Sequence, residues 1–298
     1  EKTSVFTMDL QAVLLCPALK ASALYYRTKL KVHNFTLFNL KTGAGHCYLW
    51  DETEGGLNAD EFASILYHFL TNEVDKETCN NVIIYSDGCT YQNRNTIVAN
   101  TLLLASKKLG IVITQKYLEK GHTQMECDAM HSCIERRLRN REIYSPVAYT
   151  EACRTARLHP APYKVQSLQH SFFSKYSDLQ FVPSIRPGNK KGEPVVTNLK
   201  CVKYTPDGEI KVKLDFKEEF LSLPRRLKKP TNEAQVKSLY KSKIPLQQLK
   251  FKHLQEMKSV LPREVHSFYD TLPHLSKSGN KLCERETCTC VIPVNVEF

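Results

Sequence analysis

The chain has 298 residues, 42% of them hydrophobic, so it is long enough for two domains and can bury a sizeable core. This composition excludes an intrinsically disordered protein, and no run of about 18 uninterrupted apolar residues predicts a membrane span. The formal net charge of +11 indicates a polyanionic partner.

The positive charge is unevenly distributed along the chain. Up to residue 150 there are 16 Lys and Arg against 16 Asp and Glu, and beyond it 26 against 15. This split favours a neutral half that processes a polyanion and a basic half that attracts it. A basic surface that only keeps the protein soluble is the alternative. The 11 scattered cysteines are typical of reduced thiols in an intracellular protein.

The first predicted elements are three strands. Residues 3–16, 24–40 and 46–50 alternate or carry apolar runs, and a Gly43-Ala44-Gly45 turn precedes the third. We expect them to form an antiparallel meander. A helix capped by Asn58 or Asp60 follows and ends near Asp75.

A second group of elements alternates strand and helix. Residues 81–86 are short, β-branched and apolar, which predicts a central strand buried on both faces. The chain then becomes helical directly after Asp87 as far as Gly110, returns to a strand over 111–118, and forms a helix over 124–140. The predicted order is βββ-α-β-α-β-α, an α/β fold with a mixed sheet.

Three of these elements carry an aspartate. Asp87, in the string YSDGCTYQNRN, ends an apolar strand, where sheet proteins place their chemistry. Asp9 lies on the first strand, and Asp128 opens the last helix in the string KGHTQMECDAMHSCIE. Metal-dependent phosphoryl transfer needs such a set of carboxylates.

This arrangement resembles the ribonuclease H-like fold shared by DDE/D transposases, integrases and related nucleases. The two strings are similar to a transposon-associated, largely uncharacterised domain family, and the resemblance covers about residues 1–145. It implies a ribonuclease H-like catalytic-type domain over residues 1–150. A smaller basic, loop-rich α+β region over 151–298 completes the predicted organisation.

The carboxylates are predicted to hold two Mg²⁺ or Mn²⁺ ions, with Asp9 bridging both ions and Asp87 and Asp128 each on one. Asp9 could instead be an ordinary strand residue, and Asp87 a turn or helix cap. Glu126 and Glu135 are alternatives to Asp128 as the third carboxylate, and Asp128 is preferred because it matches the family's acid. Asp128, His131 and Glu135 share a helix face. Glu135 is a supporting ligand or a partner of Arg139.

Several polar residues surround these acids in the sequence. His122, in the loop before the last helix, suits proton transfer to a leaving group or contact with a phosphate, or caps the helix. A group of four polar residues follows Asp87 and could contact nucleic acid or form a solvated helix face: Gln92, Asn93, Arg94 and Asn95. Zinc at His122, Cys127, His131 and Cys133 is disfavoured because no paired CxxC is present.

The second half contains fewer signals. A Pro206-Asp207-Gly208 turn predicts a hairpin over 200–216, and helical spacing returns over 244–261. The tract LPRRLKKP presents four cations that are predicted to bind the phosphate backbone: Arg225, Arg226, Lys228 and Lys229.

These features favour a transposon-derived enzyme that cleaves DNA phosphodiesters or transfers DNA strands with metal ions, in the nucleus. A catalytically inactive descendant that binds nucleic acid or protein is the alternative, because its sequence could look the same. The sequence leaves the oligomeric state open, with a homo-oligomer among the options.

Overall fold

The structure is a computed structural model that describes residues 2–20, 26–119, 121–224 and 236–275. The described residues form a mixed α/β fold around one large sheet. In chain order its strands are β1 Thr3–Leu10, β2 Leu14–Cys16, β3 Leu30–Asn39, β4 Gly45–Asp51, β5 Asn81–Ser86, β6 Val112–Tyr117, β7 Lys164–Ser167, β8 Cys201–Tyr204, β9 Ile210–Lys213 and β10 Leu221–Ser222.

Helices lie on both faces of this sheet. Their bounds agree with the predicted ones to within a few residues for the first and the third, while the second begins later than predicted. In chain order they are α1 Ala59–Glu73, α2 Thr96–Leu109, α3 Glu126–Leu138, α4 Pro146–Arg154, α5 Gln248–Met257 and α6 His266–Asp270.

The sheet order is β10-β9-β8-β6-β5-β1-β3-β4-β7, with the short β2 paired to β3. Strand β3 runs antiparallel to β1 and β4, so the predicted meander is confirmed. Strands β5 and β6 run parallel to β1. The first predicted strand, residues 3–16, is broken: β1 ends at Leu10, and β2 begins at Leu14.

The main core lies on the face of the sheet that α1 and α2 cover, which we call the back face. Phe6 and Met8 of β1 and Ile84 of β5 are buried there against helix residues such as Phe69. The rings of Phe6 and Phe69 meet edge to face at 5.0 Å. Alternation along each strand sends the intervening residues, including Asp9, to the opposite or front face.

The front face is covered unevenly. Over β2, β3 and β4 it is closed by a second core that includes Met130 and Ile134 of α3 and Leu254 of α5. Over β5 it stays partly open: Val82 and Ile84 are fully buried, whereas Ile83 and Tyr85 are only half-buried. The prediction that this strand is buried on both faces is therefore wrong, because the side chains on its front face are only partly buried.

Strands from the second half of the chain extend the same sheet at both edges. The predicted hairpin is confirmed as β8 and β9, with Gly208 at a φ of +93° in the connecting turn. Strand β8 pairs with β6, and β7 pairs with β4. The sheet thus continues across residue 150.

Two predicted features fall outside the described residues. The basic tract Arg225, Arg226, Lys228 and Lys229 lies between residues 224 and 236, and three of the 11 cysteines, Cys283, Cys288 and Cys290, follow residue 275. Within the described chain, none of the helices combines the length and the apolar character that crossing a bilayer requires.

Candidate functional site

Asp9 on β1 and Asp87, the residue that follows the adjacent strand β5, lie close enough for the charge of Asp87 to raise the pKa of Asp9. The parallel register of β1 and β5 pairs Thr7 with Tyr85; Asp9 lies two residues further along β1, and Asp87 directly follows Ser86, the last residue of β5. Both side chains belong to the front face, since side chains alternate along a strand. Neighbouring strands are about 4.8 Å apart, which places the two acids side by side.

Asp128 reaches the same place from helix α3. Its Oδ2 accepts a hydrogen bond of 2.7 Å from the backbone N–H of Met125, the residue that caps the helix. Cys127 anchors this first turn to the sheet: its Sγ lies 3.5 Å from Thr7 Oγ1 and donates to the carbonyl oxygen of Thr36 at 3.7 Å. The start of α3 is therefore held over β1 and β3.

Asp9, Asp128 and His131 form a compact group of potential metal ligands. One ligand atom from each lies within 4.8 Å of the others, and His131 Nδ1 is 4.0 Å from Asp9 Oδ2. Of the three acids considered for α3, the structure brings Asp128 into this group, whereas Glu126 and Glu135 are exposed and outside it. Helical spacing in the sequence places His131 on the same helix face as Asp128, and the disfavoured zinc set includes it, but the sequence does not predict His131 as a ligand of Mg²⁺ or Mn²⁺.

The hydrogen bonds of Thr36 assign the tautomer of His131. The Thr36 hydroxyl donates to the carbonyl oxygen of Asp9 at 3.1 Å, so it must accept from His131 Nε2, which lies 2.8 Å away. The proton is then on Nε2, and the lone pair of Nδ1 points toward the carboxylates. Burial lowers the pKa of His131 to about 4, which keeps the ring neutral. A neutral imidazole held by its other nitrogen is the form that binds metals.

Each of the three aspartates has one oxygen held and one without a hydrogen-bond partner in the described chain. Asp9 Oδ1 accepts from Leu10 N at 2.8 Å, and Asp87 Oδ1 accepts from Asn93 Nδ2 at 2.9 Å. Asp128 uses Oδ2 in the helix cap, as described above. The remaining oxygens are available to a cation, and the bonds restrict the orientation of the carboxyl groups.

The site concentrates negative charge. The pKa of Asp9 is raised from 3.8 to about 7, mainly by burial; the hydrogen bond from Leu10 opposes this rise, and the charges of Asp87 and Asp128 contribute to it. No Lys or Arg of the described residues forms an ion pair with any of the three aspartates. A divalent cation would supply the missing positive charge.

The loop after Asp87 departs from the predicted helix. Residues 87–95 form turns, and α2 begins only at Thr96 because Asn95 caps it, accepting from Val98 N at 3.0 Å. The Asp87 side chain also accepts weakly from the N–H of Cys89 at 3.3 Å. Side chains that accept backbone N–H groups favour a turn over a helix at this point.

The four polar residues predicted to contact nucleic acid have partners inside the protein. Asn93 holds Asp87, Asn95 caps α2, and Gln92 donates to the hydroxyl of Tyr91 at 3.0 Å. Gln92, Asn93 and Arg94 are all buried. The structure thus shows these side chains organising the loop, rather than lying on an open surface.

Arg94 explains the glycine of the string YSDGCTYQNRN. Its guanidinium lies 4.4 Å from the centroid of the Tyr117 ring and donates to the carbonyl oxygen of Thr197 at 2.8 Å. A Cβ on Gly88 would be only 2.0 Å from Arg94 Nη2. A side chain at position 88 would therefore displace the guanidinium of Arg94, which packs the loop against β6.

His122 and the cysteines complete the predicted set. His122 is exposed in the loop before α3, and its ring has no hydrogen-bond partner in the described part of the chain. Burial raises the pKa of the Cys127 thiol to about 12, and Cys133 accepts from Arg136 at 3.0 Å. The metal-ligand group found among the described residues contains no cysteine, so the zinc interpretation gains no support.

Replacing Asp9 by Asn tests the charge at this site. The rise in the pKa of Asp9 from 3.8 to about 7 corresponds to a free-energy cost of about 4 kcal/mol for holding this carboxyl group ionised in the folded protein. Because the side chain is 25% exposed, solvent screening reduces this cost to about 2 kcal/mol. Because folding raises the pKa of Asp9, the cost of ionising Asp9 to the stability of the folded protein is small below pH 4. This cost grows as the pH rises toward 7 and is constant above pH 7. We expect Asp9→Asn to raise the free energy of unfolding of the metal-free protein by about 2 kcal/mol at pH 8 and by much less at pH 4.

Urea unfolding in EDTA at both pH values measures this difference. Asp75→Asn is the matched control, because backbone and Thr78 hydrogen bonds lower the pKa of that exposed carboxyl group and its neutralisation should not stabilise the protein at pH 8. An Asp9→Asn variant with the same change at both pH values would contradict the assigned charge repulsion.

Comparison with known proteins gives one family. A family model described as "Domain of unknown function (DUF7869)" matches residues 26–180, a range that includes Asp87, Asp128 and His131 and leaves out Asp9. Searches of curated proteins and of solved structures found no match. Since the matched range covers more than half of the sequence, the chain belongs to the DUF7869 family.

Proposed function

We propose that the protein is a metal-dependent phosphoryl-transfer enzyme that cleaves DNA phosphodiesters or transfers DNA strands. The observation that carries this function is the convergence of Asp9, Asp128 and His131 within 4.8 Å, with Asp87 nearby at the end of the adjacent strand β5. These residues come from three separate segments of the chain. Their convergence is what a shared cation site requires and what an unrelated set of surface acids lacks.

The fold supports a ribonuclease H-like assignment. Apart from the short β2, the elements up to α3 follow the order βββ-α-β-α-β-α that the sequence resemblance implies. The aspartates lie on the first strand, after the fourth strand of that order and on its last helix, as expected. This agreement of order and position supports the DDE/D type of site over other carboxylate clusters.

The residues present fit a pair of divalent cations. Carboxylate oxygens suit Mg²⁺ and Mn²⁺, and the neutral Nδ1 of His131 should favour Mn²⁺ over Mg²⁺. Asp9, Asp87, Asp128 and His131 are the residues that would hold these ions. When bound, such ions stabilise the attacking and leaving oxygens of a phosphodiester during in-line displacement.

The remaining groups prepare the site for this chemistry. Leu10 N, Met125 N and Asn93 Nδ2 each hold one carboxylate oxygen and leave the other for the cations. His122, four residues before α3, is assigned to deliver a proton to the leaving oxygen or to contact a phosphate. The excess positive charge beyond residue 150 would attract DNA, and such a substrate implies a nuclear protein.

Calorimetric titration with Mn²⁺ tests the cation site. We expect Asp128→Asn to weaken binding at least tenfold, because it removes one charge and a ligand oxygen. Glu135→Gln is the matched control on the same helix and should leave the affinity within about twofold, since Glu135 is outside the ligand group. Equal binding by wild type and Asp128→Asn would remove Asp128 from the site.

Thr36→Val tests whether the hydroxyl orients His131. Without the acceptor for Nε2–H, the ring can change tautomer, and Mn²⁺ affinity should fall about tenfold. The ¹⁵N shifts of His131 in the metal-free protein should move away from the Nε2–H pattern. Thr101→Val, which removes another largely buried hydroxyl, should change neither quantity. Unchanged ¹⁵N shifts in Thr36→Val would contradict the assigned tautomer.

Cleavage of a fluorescently labelled DNA in Mg²⁺ or Mn²⁺ tests the reaction. Asp87→Asn should abolish cleavage while leaving DNA affinity nearly intact, because it removes a cation ligand and no phosphate contact. Glu126→Gln, an exposed acid at the start of α3, should cleave like the wild type. Cation binding without cleavage by the wild type would instead support the alternative of a descendant that binds without cutting.

A further inference from the structure

The open part of the front face carries a row of lysines. Pairing between neighbouring strands places Tyr85 opposite Lys116, Lys116 opposite Cys201, and Cys201 opposite Lys213. Two residues away along the same antiparallel strands, Thr114 lies opposite Lys203. Since directly paired residues share a face, these lysines lie on the same face as Asp9 and Asp87.

A cavity lies between these lysines and the segment that joins β9 to β10. It has a volume of about 230 Å³ and lies between the sheet and the segment that joins β9 to β10, which contributes Phe216 and Phe220. Lys116, Lys203 and Lys213 all line it. We call this cavity and its lysines the lysine groove.

The positive charge of the lysine groove is not neutralised within the described chain. Lys116, Lys203 and Lys213 form no ion pair with a carboxylate there. Burial lowers the pKa of Lys203, and the charges of Lys211 and Lys213 lower it further, although Glu219 opposes this. Lys211 is itself paired with Glu209 at 3.0 Å. A bound anion would relieve the repulsion that the lysines exert on one another.

Aromatic rings lie among these amines. The Nζ atoms of Lys203 and Lys213 are 3.9 and 4.6 Å from the centroid of the Phe220 ring, and Lys116 donates to the hydroxyl of Tyr85 at 3.1 Å. Phe216 is 43% exposed at the rim. Lysines that follow a phosphate backbone, next to rings on which bases stack, are typical of sites for single-stranded nucleic acid.

The lysine groove leads toward the acidic site. Asp87 is two residues beyond Tyr85, so strand spacing puts it about 8 Å from Lys116 and about 16 Å from Lys203 between Cα atoms. At 3.4 Å or more per nucleotide, this span covers at most about five nucleotides. One continuous strand can therefore occupy both places.

We propose that the lysine groove binds the phosphate backbone of a single-stranded nucleic acid segment and directs it to Asp87. The binding step stands on the groove alone; delivery to a reactive centre rests on the proposed function. A duplex is disfavoured because its bases are stacked inside and cannot reach Phe216. An acidic peptide is disfavoured because it would leave the aromatic rim without a role.

Fluorescence anisotropy with a labelled oligothymidylate in EDTA tests the binding step, because no metal chemistry operates there. We expect the triple variant Lys116→Gln, Lys203→Gln, Lys213→Gln to bind more weakly. The slope of log K against log salt should become shallower by about 2, at about 0.7 for each lost phosphate contact. A triple variant at exposed lysines outside the groove, Lys41→Gln, Lys76→Gln, Lys252→Gln, removes the same charge and should keep the slope near that of the wild type.

Further variants separate charge, stacking and folding. The Lys→Arg triple variant of the groove should bind like the wild type, and Phe216→Ala should weaken binding about fivefold or more without changing the salt slope. Asp87→Asn should bind at least as well as the wild type. A failure of the proposed enzyme would appear as no cleavage by a protein that still shows this binding.

Three results would overturn the inference. A groove triple variant with the wild-type salt slope would show that the lysines contact no phosphate. Tighter binding of duplex than of single-stranded DNA would exclude the single-stranded assignment. Equal competition by polyglutamate and by oligothymidylate would assign the groove to an acidic peptide instead.

Discussion

Negative charge that no cation of the described chain balances governs the candidate site. Burial and the neighbouring charges of Asp87 and Asp128 bring the pKa of Asp9 to about 7, so the folded protein holds this carboxyl group at a cost. Such a cost persists only where the surrounding structure enforces the geometry. Here the parallel pairing of β1 with β5 and the anchoring of α3 through Cys127 enforce it.

The back face of the sheet forms the main hydrophobic core, whereas the front face carries the candidate site. The back face is buried under α1 and α2 and supplies most of the hydrophobic stabilisation through residues such as Phe6 and Ile84. The front face is closed by α3 and α5 at one end and left partly open over β5 and β6. The acids lie at the boundary between the closed and open parts, where they are held firmly and remain accessible.

Most polar residues of the strings YSDGCTYQNRN and KGHTQMECDAMHSCIE position the few side chains that could bind a cation. In YSDGCTYQNRN, Asp87 is the acid, Asn93 holds one of its oxygens, Gly88 leaves space for Arg94, and Asn95 starts α2. In KGHTQMECDAMHSCIE, Cys127 anchors the helix while Asp128 and His131 face the sheet. Most of the polar residues thus support a few ligands, as is usual where a site needs fixed geometry.

Local sequence patterns were enough to predict much of the fold. Period and turn residues located β1, β3 to β6, the first three helices and the hairpin of β8 and β9, because alternation and helical spacing are properties of neighbouring residues. They also pointed to Asp9, Asp87 and Asp128, since each sits at the end of a strand or the start of a helix. The break after Leu10 and the loop over residues 87–95 were missed, because side-chain caps and turns overrode the apolar pattern there.

Other features depend on contacts between residues far apart in the chain. His131 joins the acids only because Thr36, 95 residues away, orients its ring, and the lysine groove exists only because β8 pairs with β6. Register between distant strands is set by the packing of whole faces, which no local pattern encodes. The amino-acid sequence therefore specified the elements and their chemical groups, whereas the folded chain decided which groups meet, because only burial and long-range pairing bring them within ångströms.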